Sequence, residues 1–176
     1  METSEQKNKI VEITKDLLQR VGFEGEVSLV ENASSRTEES GTEPEEKSSF
    51  AVVSIESDND LSMLIGKNGQ NLTAFDHVVR LLVAKNLGGA WGKDVPNFIV
   101  DVNDYRKSRT NYLMDVARNV AKRVIQTQRA EALLPMNAYE RRLVHTELTS
   151  FKEIQTESIG QEPRRRVVVK PQLEPI

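Results

Sequence analysis

The sequence contains no cysteine, which excludes disulfides and thiolate metal sites and fits a reducing compartment. It has no apolar run that approaches the length of a membrane span. Residues 1–7 are polar and lack the apolar core of a secretion signal. An overall positive charge is also missing, because the net charge is −3, and this argues against a bulk nucleic-acid binder. We therefore expect a soluble, cytoplasmic protein.

The charge is distributed unevenly along the chain. Residues 1–104 carry 10 Lys/Arg against 19 Asp/Glu, a net charge of −9, whereas residues 105–170 carry 14 against 7, a net charge of +7. Such asymmetry steers polyanions toward one part of a protein. By composition alone, a solvated basic helix face explains the second segment equally well.

The 176 residues suffice for one large or two small domains, and the hydrophobic periodicity predicts an α+β fold. Residues 1–103 form the first predicted domain, with the element order α-β-β-α-α-β. Residues 31–49 are rich in Glu, Ser and Thr and are predicted to be a long acidic loop. The expected elements are a helix over 7–20, strands at 27–29 and 50–55, a short helix ending at Ile65, a helix over about 70–85 and a strand over 98–102.

Residues 104–170 form the second predicted domain, a small α/β unit that begins with a long helix to about residue 129. Asn137 and Glu140 are spaced as a capping box, which predicts a second helix over 138–149. Two strands, at 154–158 and 166–169, complete a small sheet. We expect the prolines of residues 171–176 to leave a flexible tail.

Two glycines bracket a cation and an amide in the segment Gly66-Lys67-Asn68-Gly69. Because glycine has no Cβ, a ligand can approach its backbone closely, and a turn at a helix start points N–H groups toward phosphate oxygens. Lys67 adds a mobile positive charge. The same spacing occurs at Gly22–Gly25 and Gly89–Gly92, so the spacing alone is a weak signal, but only the copy at Gly66 joins two apolar helical segments and carries a cation.

Arg141 and His145 are four residues apart on the second predicted helix and share one face. The helical wheel places Tyr139, Leu143, Val144 and Leu148 on the apolar side and Arg141, Arg142, His145 and Thr149 on the other. An Arg with a His one turn away can grip a phosphate. An exposed, soluble helix face is the alternative, and Glu147 in the apolar arc has no explanation from the sequence.

Residues 7–102 resemble a type II KH domain with Gly66–Gly69 as its signature loop, and residues 105–170 resemble the R-three-H domain, named for an Arg, three residues and a His. The strings 135–145 and 156–166 are close to the signatures of that second domain. The tandem order is similar to that of the bacterial Jag/KhpB family. Members of that family usually carry an extra N-terminal domain, and we expect it to be missing here because the sequence starts at the first predicted helix. The acidic loop is longer than the resemblance leads us to expect.

The resemblance implies a single-stranded RNA-binding protein, linked to post-transcriptional regulation and to cell elongation and division. Its implied partners are RNA, a small single-KH protein or a second copy of the chain, and the membrane-protein insertase. DNA remains an open alternative to RNA. The predicted RNA-binding residues are Ile65, Gly66, Lys67, Asn68, Gly69 and Gln70 in the turn, and Arg106, Arg109, Arg141, Arg142, His145, Arg164, Arg165 and Arg166 in the second domain.

Other interpretations remain open at this stage. A protein-interaction adaptor is one alternative, and an RNA-processing enzyme is a weaker one, because Asp101 and Asp104 have no evident third metal ligand. We predict no catalytic residue, metal or cofactor. Trp91 stacks on a base or packs its own loop onto the core. Arg164–Arg166 is either part of the basic surround or a solvated turn.

Overall fold

The computed structural model describes residues 2–32, 50–87 and 97–172. The chain divides into two compact units, Met1–Tyr105 and Arg106–Ile176, two residues beyond the boundary predicted from the sequence. Trp91 with its glycine-rich loop, most of the predicted acidic loop and the last four residues lie outside the described residues.

The first unit has the predicted order α-β-β-α-α-β, and the mixed α+β class is confirmed. A short 3₁₀ turn, Lys67–Gly69, separates its second and third helices. The elements are α1 Glu2–Arg20, β1 Glu26–Asn32, β2 Phe50–Glu56, α2 Ser62–Ile65, α3 Gln70–Asn86 and β3 Phe98–Val102.

The three strands form one sheet in the order β1-β2-β3. The hairpin of β1 and β2 is antiparallel, whereas β3 runs parallel to β2. Glu31 and Asn32, which the sequence assigned to the acidic loop, extend β1 and pair with Ala51 and Phe50. Backbone hydrogen bonds carry this extension, and a pattern of side-chain polarity does not detect them.

The helices of the first unit pack an apolar core onto the sheet. Because side chains alternate along a strand, Phe98, Val100 and Val102 all point into this core and are buried. Asp76 of α3 accepts from the Val100 amide (2.7 Å) and pairs with Arg80 (2.9 Å), which fixes α3 against β3. The buried helix residues include Ile10, Leu18, Leu64, Leu72, Phe75, Val79 and Val83.

As far as residue 172, the second unit consists of two helices and a sheet with the order β4-β6-β5. The two-residue strand β4 was missed from the sequence because it is too short to show alternation. The predicted flexible tail is wrong for its first two residues, since Pro171 pairs with Ile154 and the Gln172 amide donates to the Glu153 carbonyl (2.7 Å). The elements are α4 Tyr105–Thr127, β4 Glu131–Ala132, α5 Ala138–Leu148, β5 Ile154–Ile159 and β6 Arg166–Pro171.

A second, separate core lies between these helices and the sheet. It is built from Leu113, Val120 and Val124 of α4, Val144 and Leu148 of α5, and inward-facing residues of the strands, chiefly Ile154, Val167 and Val169. Across the described ranges of both units, no helix combines the length and apolarity that a membrane span requires.

Candidate nucleic-acid interface

The glycine-bracketed segment forms a tight turn between α2 and α3. Gly66 and Gly69 both have positive φ, +69° and +75°, and Asn68 between them is left-handed at φ 55°. Such angles are accessible to glycine and tolerated by asparagine, whereas other residues are strained there. The local sequence therefore dictates the sharp turn that separates the two helices.

Close packing also excludes a side chain at either glycine. A Cβ on Gly66 would lie 2.5 Å from Cγ of Asn71, whose Nδ2 donates to the Met63 carbonyl (2.8 Å). A Cβ on Gly69 would lie 2.9 Å from the ring of Tyr105. Both glycines are thus required by the fold of the turn, independently of any ligand.

The residues around these glycines differ in accessibility. Lys67 and Gln70 are exposed, whereas Ile65 is half-buried and packs against the first core. The Gly66 amide donates to the Ser62 carbonyl (2.8 Å) and the Gly69 amide to the Gly66 carbonyl (3.3 Å). The glycine N–H groups are therefore used inside the turn, and the exposed chemistry of the turn is the Lys67 ammonium at the start of α3.

In the second unit, α5 begins with the predicted capping box. The Asn137 side chain accepts from the Glu140 amide (2.9 Å), and Glu140 Oε2 accepts from the Asn137 amide (3.0 Å). This reciprocal pairing fixes the first turn of the helix. It also holds the Glu140 carboxylate, which is buried, in one position.

Arg141 is buried, and its Nη1 donates two hydrogen bonds. Its side chain is only 8% exposed, and Nη1 donates to the Met136 carbonyl (2.8 Å) and to Glu162 Oε1 (2.7 Å). A buried guanidinium is tolerated only with such partners. The contact ties the start of α5 to the turn that precedes β6.

His145 is held through both ring nitrogens by hydroxyl groups of β5. Nδ1 lies 2.7 Å from Thr156 Oγ1, and Nε2 lies 2.8 Å from Ser158 Oγ. Burial lowers the pKa of His145 below its usual value, and the positive charge of Arg141 lowers it further. A neutral imidazole, with one donor and one acceptor nitrogen, suits these two hydroxyls.

The predicted faces of α5 are therefore wrong in part. Tyr139, assigned to the apolar side, is exposed, while the buried face consists of Glu140, Arg141, Val144 and Leu148. The wheel already placed Glu140 within the apolar arc. It placed Arg141 on the opposite side because it could not detect the partners of its buried guanidinium. Glu147, which the sequence left unexplained, pairs with Arg118 of α4 (2.6 Å).

The predicted basic surround is also only partly exposed. Arg109 does not belong to an exposed surface, because its side chain is 14% exposed and its Nε donates to Glu140 Oε1 (2.9 Å). Arg106 is half-buried, and so is Arg166, whose Nε donates to the Arg164 carbonyl (3.3 Å). The buried acid Glu140 thus draws an arginine of α4 inward, away from the surface that the sequence predicted for it.

Three of the predicted arginines remain exposed, namely Arg142, Arg164 and Arg165. Six of the seven acids in residues 105–170 pair with cations of the same unit, namely Asp115, Glu131, Glu140, Glu147, Glu157 and Glu162. Within the described residues, none of the three exposed arginines has an acidic partner. The excess positive charge of this unit is thus carried in part by unpaired surface guanidinium groups.

The alternative of a catalytic metal site gains no support from the geometry. Asp101 is buried, and its Oδ1 accepts from the Val102 amide (2.9 Å). Asp104 lines a shallow acidic depression with Glu26, Glu56 and Asp58. Among residues 2–32, 50–87 and 97–172, no group of three or more His, Asp or Glu side chains is arranged to hold a metal ion.

Sequence reasoning missed the residues that hold Arg141 and His145. Glu162 lies 21 residues from Arg141 and was visible only as part of the string 156–166. Thr156 and Ser158 are two residues apart on β5 and therefore share a strand face, which is the one local signal that could have indicated them. Tyr105, which packs over Gly69, was assigned to the other domain.

Comparisons with known proteins find a family match within the second unit and several relatives of the chain. Residues 111–171 match the family model of the R-three-H domain. The chain is similar to RNA-binding protein KhpB of Clostridium symbiosum, with 38% identity over 111 residues, 63% of this chain and 48% of the relative. It is similar to the KhpB of Lactiplantibacillus plantarum, with 35% identity over 61% of this chain and 32% of the relative, and to that of Bacillus subtilis, with 31% identity over 61% and 50%. The chain spans half the length, or less, of these relatives.

The environment of His145 predicts an acid-sensitive fold. Because folding lowers the pKa of His145, the unfolded chain takes up a proton first as the pH falls below about 6.5. Stability should therefore decrease from this pH downward until the lower pKa of the folded state is passed. Denaturant unfolding between pH 8 and pH 5 should show this decrease in the wild type and a smaller one in His145→Gln. A wild-type pH dependence in His145→Gln would contradict the prediction.

Proposed function

We propose that this chain is a member of the Jag/KhpB family and that it binds single-stranded RNA. The observation that carries the proposal is the R-three-H match over residues 111–171, which falls on the unit with surplus positive charge and unpaired surface arginines. Relatives that carry the name RNA-binding protein support it further. They are named as binding proteins rather than enzymes, in line with a non-catalytic role.

The second unit contacts phosphates through its exposed cations. Arg142 on α5 and Arg164 and Arg165 before β6 are accessible and without an acidic partner within the described residues, and each guanidinium can bind a phosphate through two parallel hydrogen bonds. Arg141 and His145 act from below as positioning residues. Arg141 connects α5 to the turn bearing Glu162, and the backbone carbonyl of Arg165 accepts from the Met136 amide (3.2 Å). The arginine-bearing turn is thereby fixed relative to α5.

The first unit acts as a type II KH domain. This proposal is supported by the α-β-β-α-α-β order and by the position of the glycine turn between α2 and α3. Lys67 attracts a phosphate near the positive end of α3, while the two glycines that flank Lys67 and Asn68 add no side chain to the turn. Ile65 and Gln70 border the turn, and Asn68 adopts the left-handed conformation that the turn requires. Contacts of this kind position a strand without reading its sequence.

Two weak sites on one chain strengthen each other by local concentration, since binding at one site raises the concentration of the strand at the other. We propose a cytoplasmic post-transcriptional regulator linked to cell elongation, division and shape. Single-stranded DNA presents the same phosphates. Competition between RNA and DNA of equal length therefore measures whether the protein prefers RNA.

A second candidate function is a protein-interaction adaptor, which one surface of the first unit favours. An apolar depression of about 330 Å³ lies between the end of α1 and the helices α2 and α3, and Met63 at its edge is 78% exposed. Exposed apolar surface of this kind is typical of protein interfaces. A small single-KH protein, a second copy of the chain or the membrane-protein insertase is the proposed partner. The residues that line the depression include Leu17, Val21, Phe23, Leu64, Phe75 and Val78.

Substitution of Lys67 tests the proposed RNA contact of the first unit. Lys67→Ala should weaken binding of a single-stranded RNA about two- to fivefold, because it removes one exposed charge from the phosphate path. Lys85→Ala, an exposed lysine at the other end of α3, provides the matched control and should leave affinity unchanged. Fluorescence anisotropy of the full chain with a labelled oligonucleotide measures both, and equal affinities for the two variants would remove the turn from the interface.

Substitution of two surface arginines tests the second unit. The double variant Arg142→Ala with Arg165→Ala should bind RNA more weakly and with a shallower salt dependence, because the log–log slope falls by about 0.7 for each phosphate that is no longer bound. Arg129→Ala with Lys122→Ala removes two other exposed cations of the same unit and should retain the slope. A wild-type slope in the first double variant would exclude these arginines from phosphate binding.

The adaptor hypothesis has a separate test after nuclease treatment. Light scattering of the purified chain, alone and with a purified single-KH protein, should show a complex, and Met63→Glu should abolish it because a charge would be buried without a partner. Ser62→Glu, a neighbouring exposed position, provides the control. A chain that remains monomeric under both conditions would contradict association through this surface.

A further inference from the structure

Two tyrosines of the second unit are exposed and take no part in its core. Tyr112 on α4 is 51% exposed and Tyr139 on α5 is 68% exposed. Neither ring belongs to the apolar cluster around Val124 and Val144, so the packing of this unit does not account for them. Large aromatic rings left in water at such levels are candidates for a binding role.

Each tyrosine has an arginine one helical turn away. The Arg109 guanidinium carbon lies 5.8 Å from the centre of the Tyr112 ring, a cation–π distance. On α5, Tyr139 and Arg142 are three residues apart and both exposed, so they are surface neighbours. One of these arginines is held internally, whereas the other is available to a ligand.

One ion pair links the two helices that carry these tyrosines. Arg109 Nε donates to Glu140 Oε1 (2.9 Å), and Glu140 directly follows Tyr139 in α5. The capping box with Asn137 fixes Glu140, so this carboxylate anchors the Arg109 side chain against which the Tyr112 ring rests. Arg109 Nη2 is buried and has no hydrogen-bond partner among the described residues. That unsatisfied donor is a cost which packing alone does not explain.

We infer that Tyr112 and Tyr139 form a stacking platform for unpaired nucleobases of a single strand. The inference rests on the proposed function and adds to it, because arginines hold phosphates whereas these rings hold bases. Stacking on an aromatic face tolerates every base, since each base has a π-face. Arg142 beside Tyr139 binds the phosphate of the stacked nucleotide. The net charge of +7 in residues 105–170 favours a polyanion over an apolar protein partner at these rings.

The experiment compares a single-stranded RNA decamer with an abasic decamer of the same charge, using the full chain. Wild-type protein should bind the base-bearing strand at least about tenfold more tightly. Tyr112→Leu with Tyr139→Leu should remove most of this difference while leaving affinity for the abasic strand unchanged. Tyr112→Phe with Tyr139→Phe retains both rings and should behave as the wild type. The log–log salt slope should be the same for all three proteins, because no phosphate-binding group is altered.

Each contrary result has a distinct meaning. If the leucine variant keeps the wild-type preference for bases, the platform is wrong while RNA binding stands. If both strands weaken equally, the tyrosines have a structural role only, which also overturns the inference. If wild-type protein binds neither strand, the proposed function itself fails. Should the double variant unfold, Tyr139→Leu alone, at the more exposed ring, should still lose part of the preference, and no loss would count against the platform.

Discussion

The second unit depends on one buried guanidinium. Arg141 is surrounded by protein, yet it joins the first turn of α5, through the Met136 carbonyl, to the turn that carries Glu162. Since an unpaired charge at this depth is strongly destabilising, the two segments are held in a fixed relation. Arg164 and Arg165, which follow Glu162, are exposed at the surface, whereas Arg141 is buried beneath it. R-three-H domains are named for an arginine and a histidine. In this chain these two residues mainly support the proposed binding surface from within.

The glycine turn of the first unit follows the same logic. Gly66 is closed over by Asn71 and Gly69 by Tyr105, so both glycines are explained by packing before any ligand is considered. Only Lys67 is left at the surface of the turn with a charge. In both units, therefore, the motif residues stabilise the local fold through internal contacts, and a few exposed cations nearby are available to a ligand. At Gly22, the first glycine of a segment with the same spacing, a Cβ would meet no atom within 4 Å.

The sequence predicted those features that depend on local spacing. Alternation identified the buried face of β3, and the pair Asn137 and Glu140 identified the start of α5. What it could not predict depends on partners far along the chain. Arg141 meets Glu162 after 21 residues, and Arg118 meets Glu147 after 29, and these pairings decide which charged residues are buried. A helical wheel that assumes charged residues to be exposed therefore assigned the wrong buried face to α5 and placed Arg141 on the exposed side.

The pairing of nearly every acid in the second unit has a practical consequence for handling the protein. With a calculated isoelectric point near 5.6, the chain is expected to pass through a cation exchanger at neutral pH. A resin, however, contacts one surface of the protein at a time, so its binding depends on the local charge of that surface. Because six carboxylates pair with cations of the same unit, few acids oppose the field of its exposed guanidinium groups. We therefore expect retention on sulfonate or heparin columns, which the isoelectric point of the whole chain does not indicate.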